Sequence, residues 1–200
     1  MSSAGAVAII DSGGANLASL CIALERLGVK AQISAEAKFI SRASRVFLPG
    51  VGAAGDAMRR LRSAGLDECI CRLTVPVLGI CLGMQLLYAH CEEDDTETLG
   101  LLPGSVRRIR GSVALPVPHM GWNSCTGVTS DPLLTGISES DYFYFVHSYA
   151  APVDAATQAG VEYGVTHAAV ARRNNFCGVQ FHPERSAQPG ARLLQNFMGL

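Results

Sequence analysis

The chain has 200 residues, enough for one domain with a sizeable core. Apolar residues make up 48% of it, and 16 Lys and Arg against 17 Asp and Glu leave a formal charge of −1. That balance excludes the strongly basic surface of a nucleic-acid binder. No apolar run reaches membrane-spanning length and the N-terminus lacks a signal-peptide pattern, so a cytoplasmic protein without membrane or nucleic-acid partners is expected.

The first half alternates between extended and helical patterns. Residues 6–10 read as a strand, and 16–27 carry a helical apolar stripe (Leu17, Leu20, Cys21, Leu24, Leu27) closed by Gly28. A strand over 45–48 precedes helical patterns over 53–61 and 66–73, and a strand over 75–80 leads into a helix over 82–90. The second half holds shorter strands over 106–109, 122–125, 142–149, 168–172 and 176–181, and a last helix over 191–198. This alternation predicts an α/β fold with a mostly parallel central sheet and flanking helices, as one domain over 1–200. The acidic run 92–97 reads as an exposed loop, and Arg107-Arg108-Ile109-Arg110 as a solvated strand edge.

Gly79-Ile80-Cys81-Leu82-Gly83-Met84-Gln85 is the segment richest in chemistry. It reads as a buried strand breaking sharply into a helix, with small residues around one Cys at the break, as in a nucleophile elbow. A thiol there sits at a helix N-terminus, where free N–H groups and the helix dipole favour negative charge. The alternative is a buried structural Cys packed by glycines. A hundred residues on, Gly178-Val179-Gln180-Phe181-His182-Pro183-Glu184 ends another apolar run in a His, with a carboxylate two residues later. Positions i and i+2 of an extended segment share a side, and Pro183 keeps the segment extended. A thiol nucleophile needs a base that can take and return a proton, and the base needs a partner that fixes its tautomer. His182 and Glu184 suit those roles beside Cys81.

Val46-Phe47-Leu48-Pro49-Gly50-Val51-Gly52 is a third candidate: a buried strand ending in a Gly-rich turn. Attack on a carbonyl makes an oxyanion, which two preorganised backbone N–H groups can hold. Leu82 and Val51 are the candidates. An ordinary strand-to-helix turn is the other reading, and a phosphate loop is disfavoured because no Lys-Ser or Lys-Thr follows. The seven cysteines (21, 69, 71, 81, 91, 125 and 177) form no disulfide framework, and Cys69-Ile70-Cys71 is too close for a zinc hook. Free thiols in a reducing compartment are expected, with no metal and no cofactor.

These motifs, in this order, resemble the class I (triad) glutamine amidotransferases. Further segments resemble, more narrowly, the glutaminase subunits of imidazole glycerol phosphate synthases: Leu48-Pro49-Gly50-Val51-Gly52, Pro118-His119-Met120-Gly121-Trp122-Asn123, Tyr142-Phe143-Tyr144-Phe145-Val146-His147-Ser148-Tyr149 and His182-Pro183-Glu184-Arg185-Ser186. The resemblance runs from Ile9-Ile10-Asp11 to the final helix. It implies hydrolysis of L-glutamine to glutamate and ammonia through a Cys81 thioester, with ammonia passed to a (β/α)8-barrel cyclase subunit in a histidine-pathway heterodimer. It further implies that Gln85 and the backbone near Gly50 and Gly52 contact glutamine, that Ser148 and Tyr149 hold its α-amino and α-carboxylate ends, and that Trp122, Asn123, Tyr144 and Arg185 lie near the docking face. His119 reads as structural. Glycines around Val51 leave that peptide free to flip, which makes the loop a switch candidate.

Two departures from the family pattern stand out. Asp11-Ser12-Gly13-Gly14-Ala15-Asn16 lacks a tyrosine and a second glycine found in many relatives, and Arg185 replaces their lysine. Arg and Lys differ in hydrogen-bond geometry, so altered interface detail is expected. A glutaminase of another synthase would keep Cys81, His182 and Glu184 but gives no reason for the 118–123 segment. A cysteine peptidase lacks a pro-segment here, and a non-catalytic scaffold would not need the full set of nucleophile, base and orienting carboxylate.

Overall fold

A computed structural model describes residues 5–11 and 17–200 of the chain. The first half contains β1 (Val7–Ile10), α1 (Leu17–Arg26), β2 (Ala31–Ser34), α2 (Ala37–Ile40), β3 (Arg45–Gly50), α3 (Ala54–Ser63), α4 (Leu66–Cys71), β4 (Val77–Cys81) and α5 (Leu82–Leu87). Short strands β5 (His90–Cys91), β6 (Thr96–Glu97) and β7 (Ser105–Arg108) follow. Then come β8 (His119–Ser124), β9 (Tyr142–His147), β10 (Tyr149–Ala150), β11 (Thr157–Tyr163), β12 (Val165–Arg173), β13 (Phe176–Val179) and α6 (Ala187–Gly199).

Among the described residues, seven strands build the central sheet in the order β11-β12-β13-β4-β3-β1-β2. The five from β13 to β2 run parallel, and β12 and β11 extend one edge antiparallel. Strand residues alternate between two cores, as the pleat demands. Ala8, Ile10, Val46 and Leu48 face one core with Met58 and Leu61 of α3, Ile70 of α4 and Leu86 of α5. Val7, Ile9 and Phe47 face the other with Leu20 and Leu24 of α1, Leu193 and Phe197 of α6, and Phe143 and Phe145 of β9. Burial on both faces explains why β3 and β4 read as continuous apolar runs. Each fully buried Leu, Ile or Phe contributes about 1.5–3 kcal/mol.

Two smaller assemblies flank this sheet. β10-β7-β5-β6 form one, and β8 and β9 form an antiparallel ribbon from His119↔His147 to Ser124↔Tyr142. The sequence expectations differ from the structure in several places. The helix expected over 82–90 stops at Leu87, because Ala89, His90 and Cys91 are drawn into pairing with Gly104, β6 and β7. The acidic run is not a plain exposed loop: it holds a 3₁₀ turn (Glu93–Asp95) and β6, and the Glu93 carboxylate accepts the Ala54 N–H at 2.8 Å. The strand expected over 142–149 breaks into β9 and β10 around Ser148, and β2 and β11 were not expected at all. The basic stretch is solvated, with Arg107, Arg108 and Arg110 exposed. Most of the departure at 11–16 lies outside the described residues. Among those described, no helix is long and apolar enough to cross a membrane.

Candidate active site

β4 passes into α5 with no intervening loop, and Cys81 is the residue at the corner, at φ 54° and ψ −111°. That conformation is one a side chain resists and glycine favours. The flanking glycines are there for close approach. A Cβ on Gly83 would lie 1.7 Å from the Leu48 carbonyl oxygen, and one on Gly79 would lie 2.6 Å from the Gly83 oxygen. The ends of β3 and β4 and the start of α5 therefore meet backbone to backbone, and the sharp corner presents the Cys81 thiol, 8% exposed, to a cavity.

β13 lies parallel beside β4, with Val179 opposite Ile80, so the chain leaving it reaches the same end of the sheet as Cys81. There His182 Nδ1 donates to Glu184 Oε1 at 2.8 Å, and both side chains are almost fully buried. The carboxylate can only accept, which places the Nδ1 proton and leaves Nε2 free to serve the Cys81 side chain, whose proximity bears on the ring. Burial alone would lower the imidazole pKa. The bonds to Cys81 and Glu184 outweigh it and hold His182 above the usual histidine value.

A cavity of about 350 Å³, room for one amino acid, opens over Cys81. Its wall contains Val51, Gly52, Leu82, Gln85, Ser148, Tyr149 and His182, all singled out from the sequence, together with Glu93, Pro118, Val146 and His147. Gly50 is not in the wall: it is the register partner of Cys81 at the end of β3, where a Cβ would stand 2.9 Å from the Gly83 nitrogen. Val51 and Leu82 each follow immediately after that last pair, and both line the cavity with Cys81. Gln85 is buried, and its amide donates to the Tyr149 carbonyl (2.8 Å) and to Gln180 Oε1 (3.0 Å).

Period-2 alternation sorts the expected docking residues. Met120 and Trp122 of β8 and Tyr142 and Tyr144 of β9 share the outer face of the ribbon, where the Trp122 and Tyr144 rings meet edge to face at 6.0 Å. Trp122 is 54% exposed, and Arg185 is exposed as well. Asn123 turns to the opposite face, where its amide donates to the Glu162 carbonyl (3.0 Å) and lies 3.4 Å from His119 Nε2. It is separated from the outer strip by one step of the pleat.

Several residues at the site had not been singled out. Gln180 is fully buried and its amide donates to Cys81 Sγ at 3.8 Å. It stands two residues before His182. The segment beyond is not extended as expected: Pro183–Arg185 form a 3₁₀ turn, and Glu184 reaches the His182 ring from that turn. His147 donates from Nδ1 to the Tyr149 carbonyl (2.8 Å) and accepts at Nε2 from His119 Nδ1 (3.1 Å). Burial pushes His147 down to about 3 and His119 down to about 4, so both rings are neutral at pH 7. Glu93 was hidden in the acidic run, and Ser186 in the turn after Glu184.

The family model for glutamine amidotransferase class-I matches residues 8–199. The chain belongs to the class-I glutamine amidotransferases. This amidotransferase is 54% identical over 192 residues to the imidazole glycerol phosphate synthase subunit HisH of Xanthomonas axonopodis pv. citri (strain 306), with 96% of each chain covered. It is 51% identical, at the same coverage, to the subunit of that name from Xylella fastidiosa (strain Temecula1 / ATCC 700964). Among solved structures, a glutamine amidotransferase superposes with a TM-score of 0.76 at 19% identity, covering 98% of this chain and all of that one. PurLQS from Thermotoga maritima does so with 0.74 at 17%, covering 98% of both. Identities that low carry the fold alone.

Proposed function

We propose that this chain is the glutaminase subunit of an imidazole glycerol phosphate synthase, with Cys81, His182 and Glu184 as its catalytic residues. The observation that carries the chemistry is the line Cys81–His182–Glu184 at the base of an amino-acid-sized cavity. Near-full-length identity to the named synthase subunits supports the choice of synthase.

The Cys81 thiolate attacks the glutamine side-chain carbonyl, forming the S–C bond, and the oxyanion lies between the Val51 and Leu82 N–H groups. Collapse breaks the C–N bond, and the His182 imidazolium gives its proton to the departing nitrogen, which leaves as ammonia. Water then adds to the thioester, His182 takes its proton, and the S–C bond breaks to release glutamate. Glu184 holds the ring in the tautomer both steps need. Ser148 and Tyr149 flank the α-amino and α-carboxylate ends, and Glu93 brings a carboxylate to the wall, where it suits the α-ammonium group. With both Gln85 N–H groups engaged, Gln85 can contact substrate only through Oε1.

Ammonia released to water would be protonated and lost, so the reading includes a (β/α)8-barrel cyclase partner that receives it and makes imidazole glycerol phosphate and aminoimidazole carboxamide ribotide. Exposed Met120 and Trp122, with half-buried Tyr144 beside them, support docking there, since apolar patches with Trp and Tyr are typical interface anchors. Arg185, exposed in the turn after His182, supplies a cation at the surface. Seven free thiols support a reducing, cytoplasmic setting.

The test is glutamate release from L-glutamine, by the chain alone and with the barrel cyclase and its nucleotide ligand, with Cys81→Ala as control. Strong stimulation that the control abolishes is expected. High activity indifferent to the barrel would overturn the assigned partner, and activity retained by Cys81→Ala would overturn the nucleophile.

A further inference from the structure

The Tyr149 carbonyl oxygen is the meeting point of two buried hydrogen-bond arms. Because a carbonyl only accepts, it sets the direction of every bond in both. On one side Gln85 must turn its NH2 group to Tyr149, so its second N–H points to Gln180, which must answer with Oε1. The Gln180 NH2 group is then left facing Cys81 Sγ at 3.8 Å. On the other side His147 must carry its proton on Nδ1, which makes Nε2 an acceptor for His119 Nδ1–H, and the Asn123 amide closes the arm at 3.4 Å. No alternative amide orientation or imidazole tautomer satisfies the same contacts.

We propose that Gln180 is a further catalytic residue, which donates a hydrogen bond to the anionic Cys81 sulfur and is held in that orientation by Gln85 and the Tyr149 carbonyl. The proposal rests on Cys81 being the nucleophile. A thiol accepts weakly and a thiolate strongly, so this bond is worth most when the sulfur is ionised, and more in a fully buried setting than in water. The second contact of Cys81, with the Val146 carbonyl at 3.8 Å, has the opposite bias: it suits S–H and repels S⁻. Ionisation trades the Val146 contact for the Gln180 contact without any movement of heavy atoms. The wall that receives substrate and the sulfur that attacks it are thereby fixed by one chain of neutral groups, and substrate binding against Tyr149 meets a nucleophile already oriented.

Gln180→Met and Gln180→Leu each remove the donor with little change in volume. The readout is the pH dependence of iodoacetamide alkylation at Cys81, measured by mass spectrometry of its peptide so that the exposed Cys71 serves as an internal reference. In both variants the Cys81 midpoint should move up by about one pH unit and its rate at pH values below both midpoints fall roughly tenfold, while Cys71 is unchanged. Glutaminase kcat in the full complex should fall at least as far, with KM for glutamine within about threefold. A merely structural role would shift the unfolding midpoint and leave the pH midpoint in place. An unchanged Cys81 midpoint in either folded variant overturns the proposal while leaving the nucleophile intact. A parent protein in which the Cys81 midpoint lies no lower than that of Cys71 overturns both.

Discussion

His182 and Tyr144 are joined through their backbones: the His182 N–H donates to the Tyr144 carbonyl at 2.9 Å. Ser186 doubles the link, with its hydroxyl donating to the His182 carbonyl (2.6 Å) and accepting the Tyr144 N–H (3.0 Å). The strand that carries the outer aromatic face thus holds the base of the triad. Ser186→Ala would leave the Tyr144 N–H unsatisfied, at a cost of about 1–3 kcal/mol. The expected outcome is a thermal midpoint lower by roughly 2–4 °C per kcal/mol and a kcat that falls more than KM rises. Scanning calorimetry and steady-state kinetics check this, and a kcat equal to that of the parent would disconnect the link from catalysis.

Val51 follows the last paired residue of β3, so proline there removes an N–H without breaking a ladder position. Val51→Pro is expected to lower ligand-stimulated kcat roughly 100- to 1,000-fold with little change in KM, the range for loss of one oxyanion donor. Unchanged turnover would remove Val51 from the mechanism.

Acid should destabilise the fold through His119 and His147. Their folded pKa values lie near 4 and 3, below the unfolded value near 6.5, so the unfolded chain binds more protons between those limits. Their contribution is complete above about pH 6.5 and is lost as pH falls, with a slope approaching about 1.4 kcal/mol per pH unit for each ring. His182 has the opposite shift, so its contribution is complete below about pH 6.5 and declines only as pH rises towards its folded value. It adds no slope on the acid side. His119→Phe keeps the stacking on Phe145 and Tyr163 but cannot protonate. Urea unfolding at several pH values should show a lower stability at pH 7 and a shallower decline to pH 5 than the parent; parallel curves would contradict the assignment.

Trp122→Ala should weaken binding of the cyclase barrel by about 30-fold, or about 2 kcal/mol, as for a central aromatic anchor. Because the indole is half exposed, folding stability should change by no more than about 0.5 kcal/mol. Calorimetric titration with the barrel, beside a thermal melt of the free chain, separates the two effects.

The parts of this molecule legible in the sequence are those where local chemistry and burial agree. The strand 75–80, the Cys corner and His182-Pro183-Glu184 combine apolar runs with residues that admit only a few backbone conformations. β2 escaped because Ala31–Ser34 is only four residues long and lies at the sheet edge, where burial does not follow its apolar/polar alternation and Ile33 is exposed. β11 escaped because Gln158, Gly160 and Glu162 are poor strand formers, and its register shifts at Ala159. Gln180 looked like the polar end of an apolar run. Its meaning lies in contacts with residues 95 and 99 positions away, which no local pattern records. Which face of the ribbon Asn123 occupies was not legible, because membership in a motif does not say which way the pleat turns each member.

Cys81 occupies a backbone conformation that charges its strain, about 1–3 kcal/mol, to any side chain with a Cβ. Alanine in its place silences the chemistry and keeps the strain; glycine silences the chemistry and releases it. Cys81→Gly is therefore expected to melt above Cys81→Ala, and a reversed order would place no strain at the corner. Here mutational drift towards greater stability leads directly to loss of the nucleophile, so only selection for turnover can keep cysteine at the corner.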